Sequence, residues 1–172
     1  MIVCPDCGID NIDGADLCEG CQQPLAASNA LTPKSDVEES IFHDRIRVLA
    51  RHGPLCVESG TRVAEVLERM VERAVGCVIV LEAGETVGIF SERDAMLRLN
   101  TDAAALADRP ISEFMTPNPE GLDMDDKIAF ALHRMDAGNY RHIPIYSQGR
   151  LCSIISVRDI LRYITENAID TK

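Results

Sequence analysis

The feature that most constrains this chain is an internal repeat. At an offset of 65, residues Pro54 to Leu99 align without gaps on Pro119 to Ile164, and ten of the 46 pairs are identical. Those pairs are Pro54/Pro119, Ala64/Ala129, Leu67/Leu132, Arg69/Arg134, Met70/Met135, Gly84/Gly149, Ile89/Ile154, Ser91/Ser156, Arg93/Arg158 and Asp94/Asp159. Average residue usage gives about three by chance, so duplication is the economical explanation. Each copy has the same periodicities. Val63, Val66, Leu67 and Met70, and then Ile128, Ala131, Leu132 and Met135, follow i, i+3, i+4, i+7, which predicts a helix with one buried face. Cys77 to Leu81 turns through Gly84 into Thr86 to Phe90, and His142 to Tyr146 turns through Gly149 into Leu151 to Ile155. Two hairpins are predicted. A second helix opens at Ser91 and at Ser156. The expected class is α+β, with two βαββα-like repeats about a pseudo-twofold axis.

The sequence Ser91-Glu-Arg-Asp94, repeated as Ser156-Val-Arg-Asp159, lies where a strand hands over to a helix. Two readings are open. A serine followed three residues later by an acid resembles a capping box, which satisfies backbone N–H groups and stabilises by about 1 kcal/mol. The same place is also a natural anion site, and an adjacent Asp can accept hydrogen bonds from ribose hydroxyls.

The duplicated unit resembles a tandem pair of CBS domains, a Bateman module, from about Ile46 to Thr165. The resemblance is carried by Gly88-Ile-Phe-Ser91-Glu-Arg-Asp94, Ser153-Ile-Ile-Ser156-Val-Arg-Asp159, Ile111-Ser-Glu-Phe-Met115-Thr116-Pro117 and Arg141-His142-Ile143-Pro144-Ile145. Such modules hold AMP, ADP, ATP, S-adenosylmethionine or related ligands between their repeats, act as metabolite sensors, form homodimers and are not themselves enzymes. The resemblance implies that Asp94 and Asp159 hold ribose hydroxyls and that Ser91 and Ser156 bond ribose or phosphate. It further implies that Arg93, Arg158, Arg141 and His142 face phosphates, each charged hydrogen bond contributing about 1.5–3 kcal/mol. Val57 and Leu122 would line adenine pockets, with Val78 and Ile143 nearby on the strands. An ordinary packed histidine is the alternative for His142. Gly76 and Cys77 stand where the second copy has Arg141 and His142, and Ser153 stands in place of Gly88. The two clefts are therefore expected to differ in affinity.

Four of the seven cysteines lie ahead of the repeat, as Cys4-Pro-Asp-Cys7 and Cys18-Glu-Gly-Cys21. Two C-x-x-C turns offer four thiolates to one ion, a closed shell that suits structural zinc, or iron as the alternative. Gly8 follows the first pair, where a tight turn can need positive φ, and Asn11, Asp13 and Gly14 suit a short turn between the pairs. Residues 1–25 resemble the small zinc ribbons found at the ends of many prokaryotic proteins, a resemblance that favours Zn²⁺. Gln22 stands where such ribbons often carry a second glycine. So short a segment depends on its metal to fold. Cys56, Cys77 and Cys152 fall in apolar surroundings and are expected in the core.

The chain has 172 residues and a formal charge of −11, with no Lys, Arg or His between Met1 and Pro33 but Asp6, Asp10, Asp13, Asp16 and Glu19 in that stretch. A −5 module repels phosphate backbones, so nucleic-acid binding is disfavoured and protein docking preferred. No apolar run exceeds the five residues of Cys77 to Leu81, far too few to cross a bilayer. A soluble, cytoplasmic protein is expected, without disulfides. Residues 26–35 read as a linker, 36–53 as a linker helix capped by Ser35 or Asp36 and ended at Gly53-Pro54, 54–110 as repeat 1 and 111–172 as repeat 2. No nucleophile and base motif appears, so no enzyme is expected. The preferred function is an adenine-nucleotide sensor with a zinc ribbon for partner docking. The alternatives are a ligand-free dimerisation scaffold and a ribbon-based transcription or nucleic-acid regulator.

Overall fold

The structure is a computed structural model and describes residues 2–4, 7–12, 15, 17–22, 25 and 36–169. The linker expected at 26–35 and the cap assigned to Ser35 lie outside the described residues. The chain divides into two compact units, one of residues 1–51, 122–143 and 155–172, the other of 52–121 and 144–154.

A two-residue pair, β1 (Ile2–Val3) and β2 (Asp10–Asn11), opens the chain antiparallel. Helix α1 then covers Asp36–His43, and a 3-10 turn Ile46–Val48 follows. The single helix expected over 36–53 is thus cut at His43. Backbone pairing is the reason. Ile46 N–H donates to Asp126 O at 2.9 Å, Ile128 N–H donates to Asp44 O at 3.0 Å, and Arg45 bridges Lys127 antiparallel. These bonds need extended backbone at Arg45 (φ −93°, ψ 153°), which a continuous helix cannot supply.

The first repeat runs β3 (Cys56–Glu58), α2 (Val63–Glu72), β4 (Cys77–Glu82), β5 (Glu85–Ser91) and α3 (Glu92–Asp94). Strand β3 is parallel to β4, β4 antiparallel to β5, and β5 antiparallel to β6 (Thr116–Pro117). The second repeat runs β7 (Leu122–Asp123), α4 (Ile128–Gly138), β8 (His142–Ser147), β9 (Arg150–Ser156) and α5 (Val157–Ile169), its strands in the order β7-β8-β9. Strands β8 and β9 occupy the positions of β4 and β5 shifted by 65. The burial sequence of β9 is identical to that of β5.

The duplication extends to strained backbone. Each hairpin closes with two residues at positive φ, Ala83 (51°) and Gly84 (86°) in one copy, Gln148 (51°) and Gly149 (75°) in the other. Two positive φ values across a two-residue loop are the demand of a type I′ turn, which matches strand twist. Ala74 and Asn139 also share φ 51°. Ala74 closes α2, with its own N–H on Val71 O and the Val75 N–H on Met70 O, a Schellman ending that favours glycine. Left-handed Ala74, Ala83 and Gln148 each cost about 1 kcal/mol, and core burial offsets them.

In the unit of residues 52–121 and 144–154, α2 and the strands bury Val57, Val63, Val66, Met70, Val78, Val80 and Phe90 with Leu99, Ile111 and Phe114. Full burial of one such side chain contributes about 1.5–3 kcal/mol. Gly88 on β5 leaves room here for Met115, whose Sδ lies 2.2 Å from where a Cβ would stand and would have to shift for any other residue. At the equivalent place Ser153 is buried and its hydroxyl donates to His52 O at 2.7 Å.

In the other unit α1 packs on α4 and α5. Tyr163 on α5 donates its hydroxyl to Asp44 Oδ2 at 2.5 Å, and Arg51 pairs with Glu166 at 2.7 Å. Desolvation, with help from the Asp44 carboxylate, pushes the Tyr163 hydroxyl up to about 12. The folded pKa lies above the unfolded value of about 10, so this stabilisation is fully present below pH ~10 and is lost as pH rises through ~12. Tyr163→Phe is expected to cost about 1–2 kcal/mol at neutral pH. Urea melts across pH should show wild type converging on the variant between pH ~10 and ~12; parallel curves would contradict the assignment.

Candidate functional site

Both repeats build the same cradle at the strand-to-helix switch. In the first, Ser91 is the N-cap in extended backbone (φ −120°, ψ 167°) and forms a complete capping box. Asp94 N–H donates to Ser91 Oγ at 3.3 Å, while Ser91 N–H (2.9 Å) and Oγ–H (2.6 Å) donate to Asp94 Oδ2. In the second, Ser156 N–H (2.8 Å) and Oγ–H (2.6 Å) donate to Asp159 Oδ2. A carbonyl ahead of each β-hairpin takes the first helical N–H: Glu92 N–H donates to Gly76 O at 2.9 Å, and Val157 N–H to Arg141 O at 3.1 Å. These donors and acceptors are again related by the offset of 65.

Of the two readings of Ser-x-Arg-Asp, capping is therefore what the geometry contains. One oxygen of each Asp is committed to the serine, leaving Oδ1 as the oxygen directed elsewhere. The copies differ at that atom. Asp94 Oδ1 accepts from Thr116 Oγ1 at 3.2 Å and faces Arg98 at 3.4 Å. Arg98 also donates to Phe114 O at 2.7 Å, to Met115 O, and to Thr116 Oγ1 at 2.9 Å, tying residues 114–116 to the first cradle. Asp159 Oδ1 faces Arg162 at 3.6 Å.

The helices behind the caps differ too. Glu92–Asp94 passes into a π-helical turn Ala95–Leu99, whereas α5 runs unbroken for 13 residues. A π-turn in a short helix is a frequent companion of functional sites.

The remaining residues singled out in the sequence divide by burial. Arg93, Arg158 and Arg141 are exposed and His142 is half-buried at the start of β8. Val57, Val78 and Ile143 are packed at 3%, 0% and 1% exposure and Leu122 at 8%, so these four are core side chains first. Thr116, Arg98 and Arg162 carried no role in the sequence reading. The two arginines were accessible to it, since a basic residue three or four positions after an acid on a helix forms a pair; Thr116 was not, because its partner is 22 residues away.

The amino-terminal cysteines form a second candidate site. Cys4 Sγ lies 3.5 Å from Cys21 Sγ, Cys7 Sγ lies 3.4 Å from Cys18 Sγ, and all four sulfurs fall within 4.8 Å of one another. Four thiolates at about 2.3 Å from one Zn²⁺ stand close to 3.8 Å apart, so the donor set fits a closed tetrahedral ion. Two matching turns present them. Gly8 N–H donates to Cys4 O at 3.0 Å and Gln22 N–H to Cys18 O at 2.9 Å. Gly8 has φ 73° and Gln22 has φ 61°, so Gln22 adopts the left-handed conformation without glycine's freedom.

Asn11, read from sequence as a turn residue, is 2% exposed. Its Nδ2 donates to Ile9 O at 2.7 Å and to Cys18 Sγ at 3.6 Å, and its Oδ1 accepts from Glu19 N–H at 2.9 Å. One amide thus ties the first cysteine turn to the second. The backbone N–H groups of Cys21 and Gly20 aim at Cys18 and, despite desolvation, bring its thiol down to about 6. At Cys7 the Ile9 N–H pulls downward, but desolvation and the neighbouring Cys18 sulfur leave the thiol raised.

Comparison with known proteins addresses the repeats. The CBS domain family matches residues 46–100 and 111–166, well over half of the chain. A 17.7 kDa protein of Acidianus ambivalens is 32% identical over 113 residues, 64% of this chain and 66% of the relative. CBS domain-containing protein CBSCBSPB1 of Arabidopsis thaliana is 28% identical over 109 residues, 63% of this chain but only 20% of the relative. The chain thus spans just under two thirds of the first relative and a fifth of the second. Among solved structures, a CBS-domain containing protein from Agrobacterium tumefaciens superposes with a TM-score of 0.64 at 27% identity, covering 69% of this chain and 98% of that one. CBSX2, solved in complex with AMP, gives 0.60 at 20% identity, with 72% and 98% covered. A CBS domain pair solved with 5′-methylthioadenosine and S-adenosyl-L-methionine gives 0.63 at 19%, with 72% and 98% covered. At those lower identities the likeness is one of fold. With the 65-residue duplication and the paired cradles, these matches establish that the chain belongs to the CBS-domain family, as a tandem pair.

Proposed function

We propose that the chain is a regulatory sensor of adenine nucleotides or related adenosyl compounds, of the AMP, ADP, ATP type. The observation that carries this reading is the doubled Ser–Asp cradle, in which each Asp keeps one oxygen, Oδ1, outside the capping box. A ribose diol needs such an acceptor. The AMP and S-adenosylmethionine complexes of fold relatives support the ligand class. In this reading Arg93, Arg158, Arg141 and His142 supply charge to phosphates, Ser91 and Ser156 orient the aspartates, and Val57, Leu122, Val78 and Ile143 back the adenine. CBS-domain proteins are generally regulatory rather than catalytic, and this chain is read as a homodimeric, cytoplasmic, non-enzymatic member. Among the described residues no helix is long and apolar enough to cross a membrane.

The cradles are unequal. A ligand at Asp94 must displace Thr116 and Arg98, whereas one at Asp159 meets only a longer approach from Arg162. The second cradle is therefore the stronger site. The occupation of Asp94 by Thr116 and Arg98 is also what favours the second reading, a CBS pair that serves as a ligand-free dimerisation scaffold. Isothermal titration calorimetry with AMP, ATP and S-adenosylmethionine separates the two. Asp159→Asn is expected to weaken the tightest-binding ligand by about tenfold or more, the cost of one charged hydrogen bond, and Asp94→Asn by less. No heat from any ligand, with the wild type folded, would establish the scaffold instead.

Cys4, Cys7, Cys18 and Cys21 would hold a structural Zn²⁺, with no position left for substrate. Zinc bound there would supply folding energy for a module whose buried cluster is only Cys4, Cys18 and Leu25, with Ala15 and Cys21 packed against it. The whole ribbon is read as a protein-docking element. Asn11 should set the lifetime of the metal: Asn11→Ala is expected to speed zinc transfer to a chromogenic chelator by about 10–100-fold, the usual cost of losing an outer-shell partner. Gln22→Gly, which only relieves a left-handed residue, should not speed it. Equal rates for Asn11→Ala and wild type would remove Asn11 from the site.

A further inference from the structure

Among the described residues nine large hydrophobic side chains stand exposed, and four of them, Val3, Ile9, Ile12 and Leu17, belong to the cysteine module. Single exposed apolar residues are ordinary, but such concentration in so small a body is the pattern of an interaction surface. The strand register places them. Val3 lies opposite Asp10 in the β1–β2 pair, so the two share one face. Asn11, the next residue, turns inward to Cys18 at 2% exposure. Ile12, just past the end of β2, heads the turn that the Ala15 N–H closes on Ile12 O, and is 70% exposed. The outward side of the pair thus carries Val3 beside the Asp10 carboxylate, with the exposed Ile12 two residues further along the chain.

We propose that this face docks a basic, apolar segment of another protein. The inference rests on the reading of the module as a metal-held ribbon, and it adds the face used and the chemistry of the partner. Charge selects the occupant. Residues 1–33 carry five acids and no base, and the remainder of the chain is itself net −6. A second copy of this chain would bring like charge to the face, and a phosphate backbone would be repelled. A segment with Lys or Arg flanking apolar residues satisfies both features: its cations meet Asp10 and the net negative charge of residues 1–33, and its apolar side chains cover Val3 and Ile12. The contact gains in rate and specificity from the charges and in affinity from the apolar centre.

The test is to pan the full zinc-loaded chain against a random peptide library and to measure synthetic versions of the enriched sequences by fluorescence anisotropy. Enriched peptides are expected to combine Lys or Arg with apolar residues. Their affinity should fall about tenfold or more with Val3→Ser/Ile12→Ser and with Asp10→Lys, and should weaken in about 0.5 M salt. Both variants lie on the exposed face, and their zinc content, measured in parallel, should equal that of wild type. Enrichment of acidic peptides, absence of enrichment, or binding unchanged in both variants would overturn the proposal. Self-association abolished by Val3→Ser/Ile12→Ser would overturn it in favour of a second copy. A wild-type chain that holds no zinc yet selects basic, apolar peptides would overturn the ribbon reading and leave the docking chemistry standing.

Discussion

The arrangement on which both repeats depend is the Ser–Asp pair at the end of each hairpin, a complete capping box in the first copy and the same serine-to-carboxylate bonds in the second. A strand that becomes a helix exposes N–H groups with no intrahelical acceptor. Here the serine oxygen in the first copy, and the carbonyls of Gly76 and Arg141, accept those protons, while each Asp receives the serine's own N–H and hydroxyl. This fixes the angle at which the helix leaves the sheet. It also fixes the carboxylate, since a side chain held at Oδ2 by two short bonds can direct Oδ1 in only one way. The stability device and the candidate binding device are thus one set of atoms. That identity explains why two readings of the motif could stand side by side in the sequence.

The two copies have drifted around this shared element. In the first, Gly88 leaves room for Met115, and the segment through Thr116 closes onto Asp94 with Arg98. In the second, Ser153 fills the place of that glycine and bonds His52, and the residue equivalent to Arg98 is Tyr163, which turns to Asp44 instead. Among the described residues the cationic approach to Asp159 is that of Arg162, at 3.6 Å. On the proposed function, differences of this kind would let one cradle hold ligand while its counterpart serves structure.

Much of this was legible in the sequence, because the duplication tests every local pattern twice. The amphipathic stripe at Val63 to Met70, the hairpins around Gly84 and Gly149, and the cap at Ser91 and Ser156 follow from local chemistry, and each fell where its periodicity put it. The helix expected over 36–53 did not, because its apolar stripe is read locally while the backbone partners of Arg45 and Ile46 lie some 80 residues on. Thr116 was hidden for the same reason. Asn11 was misread as a turn residue because a polar amide between cysteine pairs suits a loop; only the fold reveals that it is buried against a sulfur. Left-handed Ala74, Ala83 and Gln148 were also invisible, since none is the glycine that such backbone favours, whereas Gln22 was marked only because similar ribbons often carry glycine there.

The central claim is that one chain holds a tetrathiolate zinc ion and an adenosyl ligand at its second cradle. Native mass spectrometry of the freshly purified protein tests it most directly, because metal, ligand and subunit count appear in one spectrum. The account predicts one zinc per chain and, on addition of the preferred adenine compound, a mass increase that Asp159→Asn diminishes. A spectrum of bare polypeptide, unchanged by AMP, ATP or S-adenosylmethionine, would contradict it.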